Sequence, residues 1–232
     1  MKRALLKEEK ARPRSEVRAK RGVKTTRFRL EEERVTEILD VAAEVFMAEG
    51  FTAASTNEIA RRANASKGTF YARFPSKEQL FIAVMERRTA AVFQTVLGTL
   101  PQEPETMATL LAFGSRFLRE VLSREQMTLT RIIAMESERF PSLGHRFYEL
   151  GPKKGRKALA QYLESQIALG RLGKADPMRM AEHLLSLLTG GEVRWTILGL
   201  TPKPIGPKQL REHLHDAVQA FLRAYSAREF LL

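Results

Sequence analysis

Apolar residues at Val35, Ile38, Leu39, Ala42 and Phe46 recur at three- and four-residue intervals, and Gly50 closes the run. That spacing predicts an amphipathic helix, ended where a residue without Cβ can turn left-handed. Three short helix starts follow: Ser55 with Glu58 three residues on, Ser66 opening Lys67-Gly68-Thr69, and Ser76 with Gln79 three residues on. The first and last read as capping boxes, in which the hydroxyl accepts from the N3 amide and the longer side chain returns to the cap amide. Residues 55–74 thus hold two short helices around a tight turn, the pattern of a helix-turn-helix. Ile59, Ala60 and Ala63 face inward from the first helix, and Phe70 and Phe74 anchor the second as an i, i+4 pair. Asn64 occupies the turn, where asparagine tolerates positive φ better than most residues.

Beyond Phe81 the helical period continues in longer stretches, predicted over 76–97, 105–122, 124–140, 143–169, 177–198 and 207–225. Pro101, Pro104, Pro141, Pro202 and Pro204 fall in the gaps, and the Pro/Gly-rich residues 199–207 read as a loop. Asp176-Pro177 reads as an N-cap followed by the first helical position. Gly190-Gly191 marks a kink or a close helix approach. Strand-like alternation is absent, so the expected fold is all-α: an N-terminal three-helix helix-turn-helix domain over 30–81, then a helical bundle over 82–232.

Charge adds a third segment. The chain carries a formal +12, yet residues 1–29 hold twelve Lys and Arg against three Glu, while 30–81 hold six basic and nine acidic residues. Between Arg61 and Lys77 there are five basic residues and no acid. A basic extension and a basic patch would both be drawn to phosphate backbones. The extension reads either as a solubilising tail or as an arm reaching a flanking minor groove.

Composition then removes alternatives. With no cysteine there is no disulfide, thiolate nucleophile or Cys-based zinc site. No long uncharged apolar run and no secretory h-region are present, so the expectation is a cytoplasmic protein without a membrane partner. His145, His183, His213 and His215 lie in no metal or catalytic spacing, and no Gly-rich phosphate loop or Gly-x-Ser-x-Gly occurs. Neither catalysis, a metal nor a cofactor is expected. What remains is the second short helix. Turning Phe70 inward leaves Lys67, Gly68, Thr69, Tyr71 and Arg73 available to a groove, with Gly68 permitting close approach. Thr56 and Lys77, at the neighbouring helix starts, are placed to clamp flanking phosphates.

About fifty contiguous residues carry a resemblance: Ile38-Leu39-Asp40-Val41-Ala42-Ala43-Glu44-Val45-Phe46 through Gly50-Phe51, Thr56-Asn57-Glu58-Ile59-Ala60, Ser66-Lys67-Gly68-Thr69-Phe70-Tyr71, and Phe74-Pro75-Ser76-Lys77-Glu78-Gln79-Leu80. This resembles the TetR/AcrR family of transcriptional repressors, departing at Asn64, where that family usually has Gly. The resemblance implies double-stranded operator DNA, in palindromic form, as partner, and Thr56, Lys67, Gly68, Thr69, Tyr71, Arg73 and Lys77 as the contacting positions. Further on, Ile133-Ala134-Met135-Glu136-Ser137-Glu138-Arg139-Phe140-Pro141 and Gly170-Arg171-Leu172 resemble the AefR-like subtype of ligand domain.

Such a domain implies a small-molecule effector and a homodimer through the helices expected at 177–198 and 207–225. The broad apolar stripe Leu210, Leu214, Ala217, Val218, Phe221, Leu222 and Tyr225 suits a dimer helix or a core helix equally. Candidate pocket residues are Met107, Phe113, Phe117, Met135, Phe147, Leu187 and Trp195 as flexible or aromatic groups, with Glu136 and His183 as polar ones. The helix at 76–97 is the expected lever between the two domains. The rival reading is a non-specific basic nucleic-acid-binding protein dominated by the N-terminal extension.

Overall fold

In a computed structural model that describes residues 14–97, 100, 106–201, 203 and 205–227, helices form all the extended elements among the described residues. In order they are α1 (Arg14–Ala53), α2 (Thr56–Arg62), α3 (Lys67–Arg73), α4 (Lys77–Leu97), α5 (Thr106–Val121), α6 (Arg124–Glu136), α7 (Pro141–Leu150), α8 (Pro152–Ala168), α9 (Pro177–Leu188), α10 (Gly191–Leu198) and α11 (Pro207–Tyr225). The all-α expectation holds: among the described residues the only β pairing is an isolated bridge between Leu172 and Ser226. No helix among them is long and apolar enough to cross a membrane. Pro101, Pro104, Pro202, Pro204 and residues 1–13 of the basic extension lie outside the described residues.

Local chemistry sets the helix starts. Ser55, Ser66 and Ser76 accept from the backbone N–H groups of Glu58, Thr69 and Gln79 at 3.4, 3.1 and 3.1 Å. Asp176 accepts from Met178 N–H at 2.9 Å, with Pro177 in the first turn. The return half of the first capping box is not formed, because the Glu58 carboxylate is taken by Arg61, at 2.8 and 2.6 Å. An ion pair one turn away competes successfully with an exposed amide that water can satisfy.

Three long elements depart from the sequence expectation. The stretch 143–169 divides at Gly151 and Pro152, since a proline has no N–H to continue a helix but suits the first turn of a new one. The stretch 177–198 divides at Gly190 and Gly191, and Gly191 takes φ +55. At the other end, α1 runs back to Arg14, so part of the basic extension is helix continuous with the first helix of the helix-turn-helix unit. Gly50, at φ 80, interrupts α1 near its end as the pattern predicts.

Two cores result. The first joins Ile38, Ala42, Val45 and Phe46 of α1 to Ile59, Phe70, Phe74, Leu80, Phe81 and Met85, and it also takes Leu129, Ile132, Ile133 and Leu143 from α6 and α7. Phe81 meets Phe46 and Phe51 edge-on, with centroids 4.9 and 5.2 Å apart, and Phe51 meets Phe140 at 5.0 Å. The second core gathers α5, α8, α9 and α11 around Leu110, Phe113, Leu163, Leu184, Leu188, Val218 and Phe221. Helix α4 serves both, giving Leu80 to Met85 to the first and Val96 to the second. The helix-turn-helix unit therefore does not hang on a linker; it shares packed side chains with the bundle.

Candidate nucleic-acid interface and cavity

Helix α3 is only seven residues long, too short to hold a conformation by itself. Its position comes from Phe70 and Phe74, both buried, with ring centroids 5.9 Å apart. Asn64 makes the turn before it at φ 50, and Arg34 of α1 donates to the Asn64 carbonyl. With the aromatic pair inward, Lys67, Gly68, Thr69, Tyr71 and Arg73 are all exposed, as the spacing predicts. The Tyr71 hydroxyl lies 3.0 Å from Thr56 Oγ1, which ties the middle of α3 to the first residue of α2. Thr69 Oγ1 lies 2.8 Å from Ser66 Oγ. A Cβ on Gly68 would have only Ser66 Oγ nearby, at 4.0 Å, so nothing inside the chain requires a glycine there.

The basic patch is less uniform than the sequence suggests. Arg61 pairs with Glu58 and Arg62 with Glu44, each at 2.6 Å. The Arg61 hydrogen bond holds the exposed Glu58 carboxyl below its ordinary range, and Glu58 in turn raises Arg61. Lys77 does not face outward as a free phosphate clamp. Its ammonium donates to the carbonyls of Thr52 at 2.7 Å and Ala54 at 3.2 Å, and stands 5.1 Å from the centre of the Phe51 ring. Carbonyls left open at the end of α1 attract the charge inward. Of the five cations in the patch, Lys67 and Arg73 are those with neither an ion pair nor a side-chain hydrogen bond among the described residues. Both lie on α3.

Behind this unit, helices α4 to α10 line a cavity of about 420 Å³ that opens to solvent. Phe113 and Phe117 form one wall, stacked at 5.9 Å with planes 9° apart, and Phe147, Val92, Val96 and Leu185 continue the apolar lining. Of the nine residues expected in a pocket, Phe113, Phe117 and Phe147 line this cavity. The other six do not. Met107 packs against the second core, and Met135 is 80% exposed. Leu187 and Trp195 also face outward. His183 Nδ1 lies 2.5 Å from the Tyr225 hydroxyl, and Glu136 reaches Thr52 at the DNA-binding unit. Residue type could not separate these cases; the faces of α6, α9 and α10 decide them.

Sequence reasoning missed the polar lining. Glu182 and Ser186 of α9 and Thr189, the residue that caps its end, line the cavity beside Leu185 at helical spacing, and Arg156 and Tyr148 approach from α8 and α7. The α9 spacing was a readable signal, whereas the other two depend on the break at Gly151 and Pro152.

A short exposed helix held by buried aromatics, with unpaired cations on its outer face and a ligand-sized cavity behind it, defines a helix-turn-helix DNA-binding protein. The family model described as bacterial regulatory proteins, tetR family, matches residues 38–84, and that of the AefR-like transcriptional repressor C-terminal domain matches 108–227. The uncharacterized HTH-type transcriptional regulator Rv1556 of Mycobacterium tuberculosis is 30% identical over 161 residues, spanning 68% of this chain and 73% of its own. Among solved structures, a TetR-family transcriptional regulator from Mesorhizobium loti aligns with a TM-score of 0.78 at 26% identity, over 84% of this chain and 98% of the other. The flavonoid-responsive regulator FrrA aligns at 0.71 with 32% identity, over 85% and 99%.

The chain belongs to the TetR family of bacterial transcriptional regulators. It is a sequence-specific DNA-binding regulator, and the non-specific reading is not favoured. Members of the family bind operator DNA and small-molecule effectors and act as dimers.

Proposed function

We propose that this regulator represses by holding a palindromic operator and is released when a small molecule fills the cavity behind its DNA-binding unit. The observation that carries the reading is the outer face of α3, where Lys67, Gly68, Thr69, Tyr71 and Arg73 stand exposed around the buried Phe70. Thr56 joins them through its contact with Tyr71. Lys67 and Arg73 neutralise phosphate or reach base edges, and the hydroxyls of Thr69 and Tyr71 add directional bonds. Lys77 acts from behind, fixing the end of α1 to the start of α4.

Two recognition helices must lie about 34 to 36 Å apart to enter successive major grooves, which requires a symmetric dimer. The partner surface lies on the C-terminal helices. The apolar stripe of α11 is largely consumed internally, with Leu214, Ala217, Val218 and Phe221 buried against the second core. Exposed apolar groups are found instead at Met178, Leu187, Trp195 and Leu198, on α9 and α10, which favours the 177–198 segment as the larger contributor to the homodimer. Release follows if the effector favours a dimer geometry with another spacing, which demands differential affinity for the two states. Helix α4 transmits it, because Thr89, Val92 and Val96 line the cavity while Leu80 and Phe81 sit in the core of the DNA-binding unit. The stacked Phe113 and Phe117 suit a flat aromatic effector, and FrrA, similar over most of the chain, is described as flavonoid-responsive.

Selection from a pool of randomised duplex DNA at physiological salt tests the reading. A palindromic motif is expected for the native chain and none for Tyr71→Ala. Recovery of DNA without a motif would replace this reading with non-specific binding through the basic extension.

A further inference from the structure

Helix α1 passes from the bundle through the helix-turn-helix unit and beyond it. Near its C-terminal end, Thr52 is held by Glu136 of α6, and Val45 and Phe46 share a core with Leu129 and Ile133 of the same helix. At the other end of its packed part, Arg34 donates to the Asn64 carbonyl, in the turn that opens α3. Among the described residues, Val35 is where α1 enters that core. The axis of α1 is thus directed from the bundle toward the start of the recognition helix, and residues 14–33 prolong it in that direction. From Arg14 to Arg34 the helix rises roughly 30 Å at 1.5 Å per residue, the length of about nine base pairs of duplex. The sequence of this prolongation is strongly basic. Residues 14–24 hold Arg14, Arg18, Lys20, Arg21 and Lys24 against Glu16 alone, while Glu31, Glu32 and Glu33 follow Arg27 and Arg29 at the spacing of i, i+4 pairs. The outer turns therefore carry the uncompensated charge.

We propose that this helical prolongation of α1 binds the phosphate backbone of the DNA flanking the operator, lengthening the contact made by each recognition helix without reading sequence. The inference rests on α3 being the recognition helix. A rod of like charges repels itself, and it gains when phosphates take the place of the counterions around it. The helical form also selects the surface that is touched. A helix about 10 Å across is wider than a minor groove of about 6 Å, so it cannot enter as an extended arm does. The adjoining major groove already holds α3, which leaves the sugar-phosphate backbone.

Anisotropy titration of the full chain tests this with duplexes carrying the palindrome recovered by selection, flanked on each side by about 3 or about 15 base pairs, the longer flank exceeding the reach of the helix. The native chain is expected to bind the longer duplex on the order of tenfold more tightly, with a salt slope steeper by about four, as two phosphates per protomer require. Arg14→Gln, Arg18→Gln, Lys20→Gln, Arg21→Gln and Lys24→Gln together should remove both differences while keeping the palindrome preference and the unfolding curve, since glutamine is a good helix former. Val23→Pro keeps every charge but breaks the helix, and it should also lose the advantage of the longer flank. An advantage kept by Val23→Pro, or seen only with A·T-rich flanks, overturns the helical contact in favour of an extended minor-groove arm. Equal affinity of the native chain for both flank lengths, or an advantage undiminished in the glutamine variant, overturns the flanking contact and leaves the repressor reading in place. Absence of any palindrome overturns that reading, and the inference with it.

Discussion

Glu136, the last residue of α6, takes hold of Thr52 across the boundary between the bundle and the DNA-binding unit. The Thr52 hydroxyl lies 2.8 and 2.9 Å from the two carboxylate oxygens, and its backbone N–H donates to Oε1 at 3.3 Å. Lys77 binds the carbonyl of the same residue at 2.7 Å. Thr52 stands three residues before Ser55, the N-cap of α2, while Gln126 and Thr130 on the same α6 line the cavity. One helix thus touches both the cavity and the end of α1 that leads into the helix-turn-helix. A double-mutant cycle of Glu136→Ala and Thr52→Ala in urea unfolding is expected to give a coupling of about 1 kcal/mol. Strict additivity would mean that the bridge contributes nothing in solution.

Gly68 separates folding from recognition. Its Cβ position is open, and alanine is a better helix former by roughly 0.5 to 1 kcal/mol. Gly68→Ala should therefore melt slightly higher than the native chain yet bind operator at least tenfold more weakly in a mobility-shift titration. Unchanged operator affinity would remove Gly68 from the interface.

Two lysines ten residues apart should behave differently. Lys67 is exposed and has no ion pair, so Lys67→Ala should leave the unfolding curve in place and reduce the salt slope of operator binding by about one. Lys77 is held by two carbonyls and an aromatic face, so Lys77→Met should lower stability by about 1 to 2 kcal/mol with the salt slope kept. Reversed outcomes would exchange their roles.

Asn64 at φ 50 is the one described residue other than glycine with a positive φ. Asn64→Val should cost about 1 to 2 kcal/mol, because a β-branched side chain clashes in the left-handed region. Asn64→Gly should change stability little. Equal melting of both variants would show that the turn relaxes.

The DNA-binding unit was legible in the sequence because its determinants are local. Caps, the Phe70 and Phe74 pair and the left-handed Asn64 act within a few residues, so spacing alone predicts which side of α3 faces out. The all-α class followed from the same short-range periodicity, and so did the limits of α11. The longer elements were less legible, since a break depends on whether tertiary packing accepts a bend at Gly151-Pro152 or Gly190-Gly191. Least legible was the cavity. Phe113 and Phe147 line it while Met135 and Trp195 face outward, although all four are apolar, because the choice depends on how helices distant in sequence rotate about one another. The same holds for charges: five cations look alike in a string, and the fold pairs Arg61 and Arg62 with carboxylates and turns Lys77 inward. Side-chain periodicity determines the faces of each helix, which the chain encodes locally; which of those faces meet is a property of the packed whole.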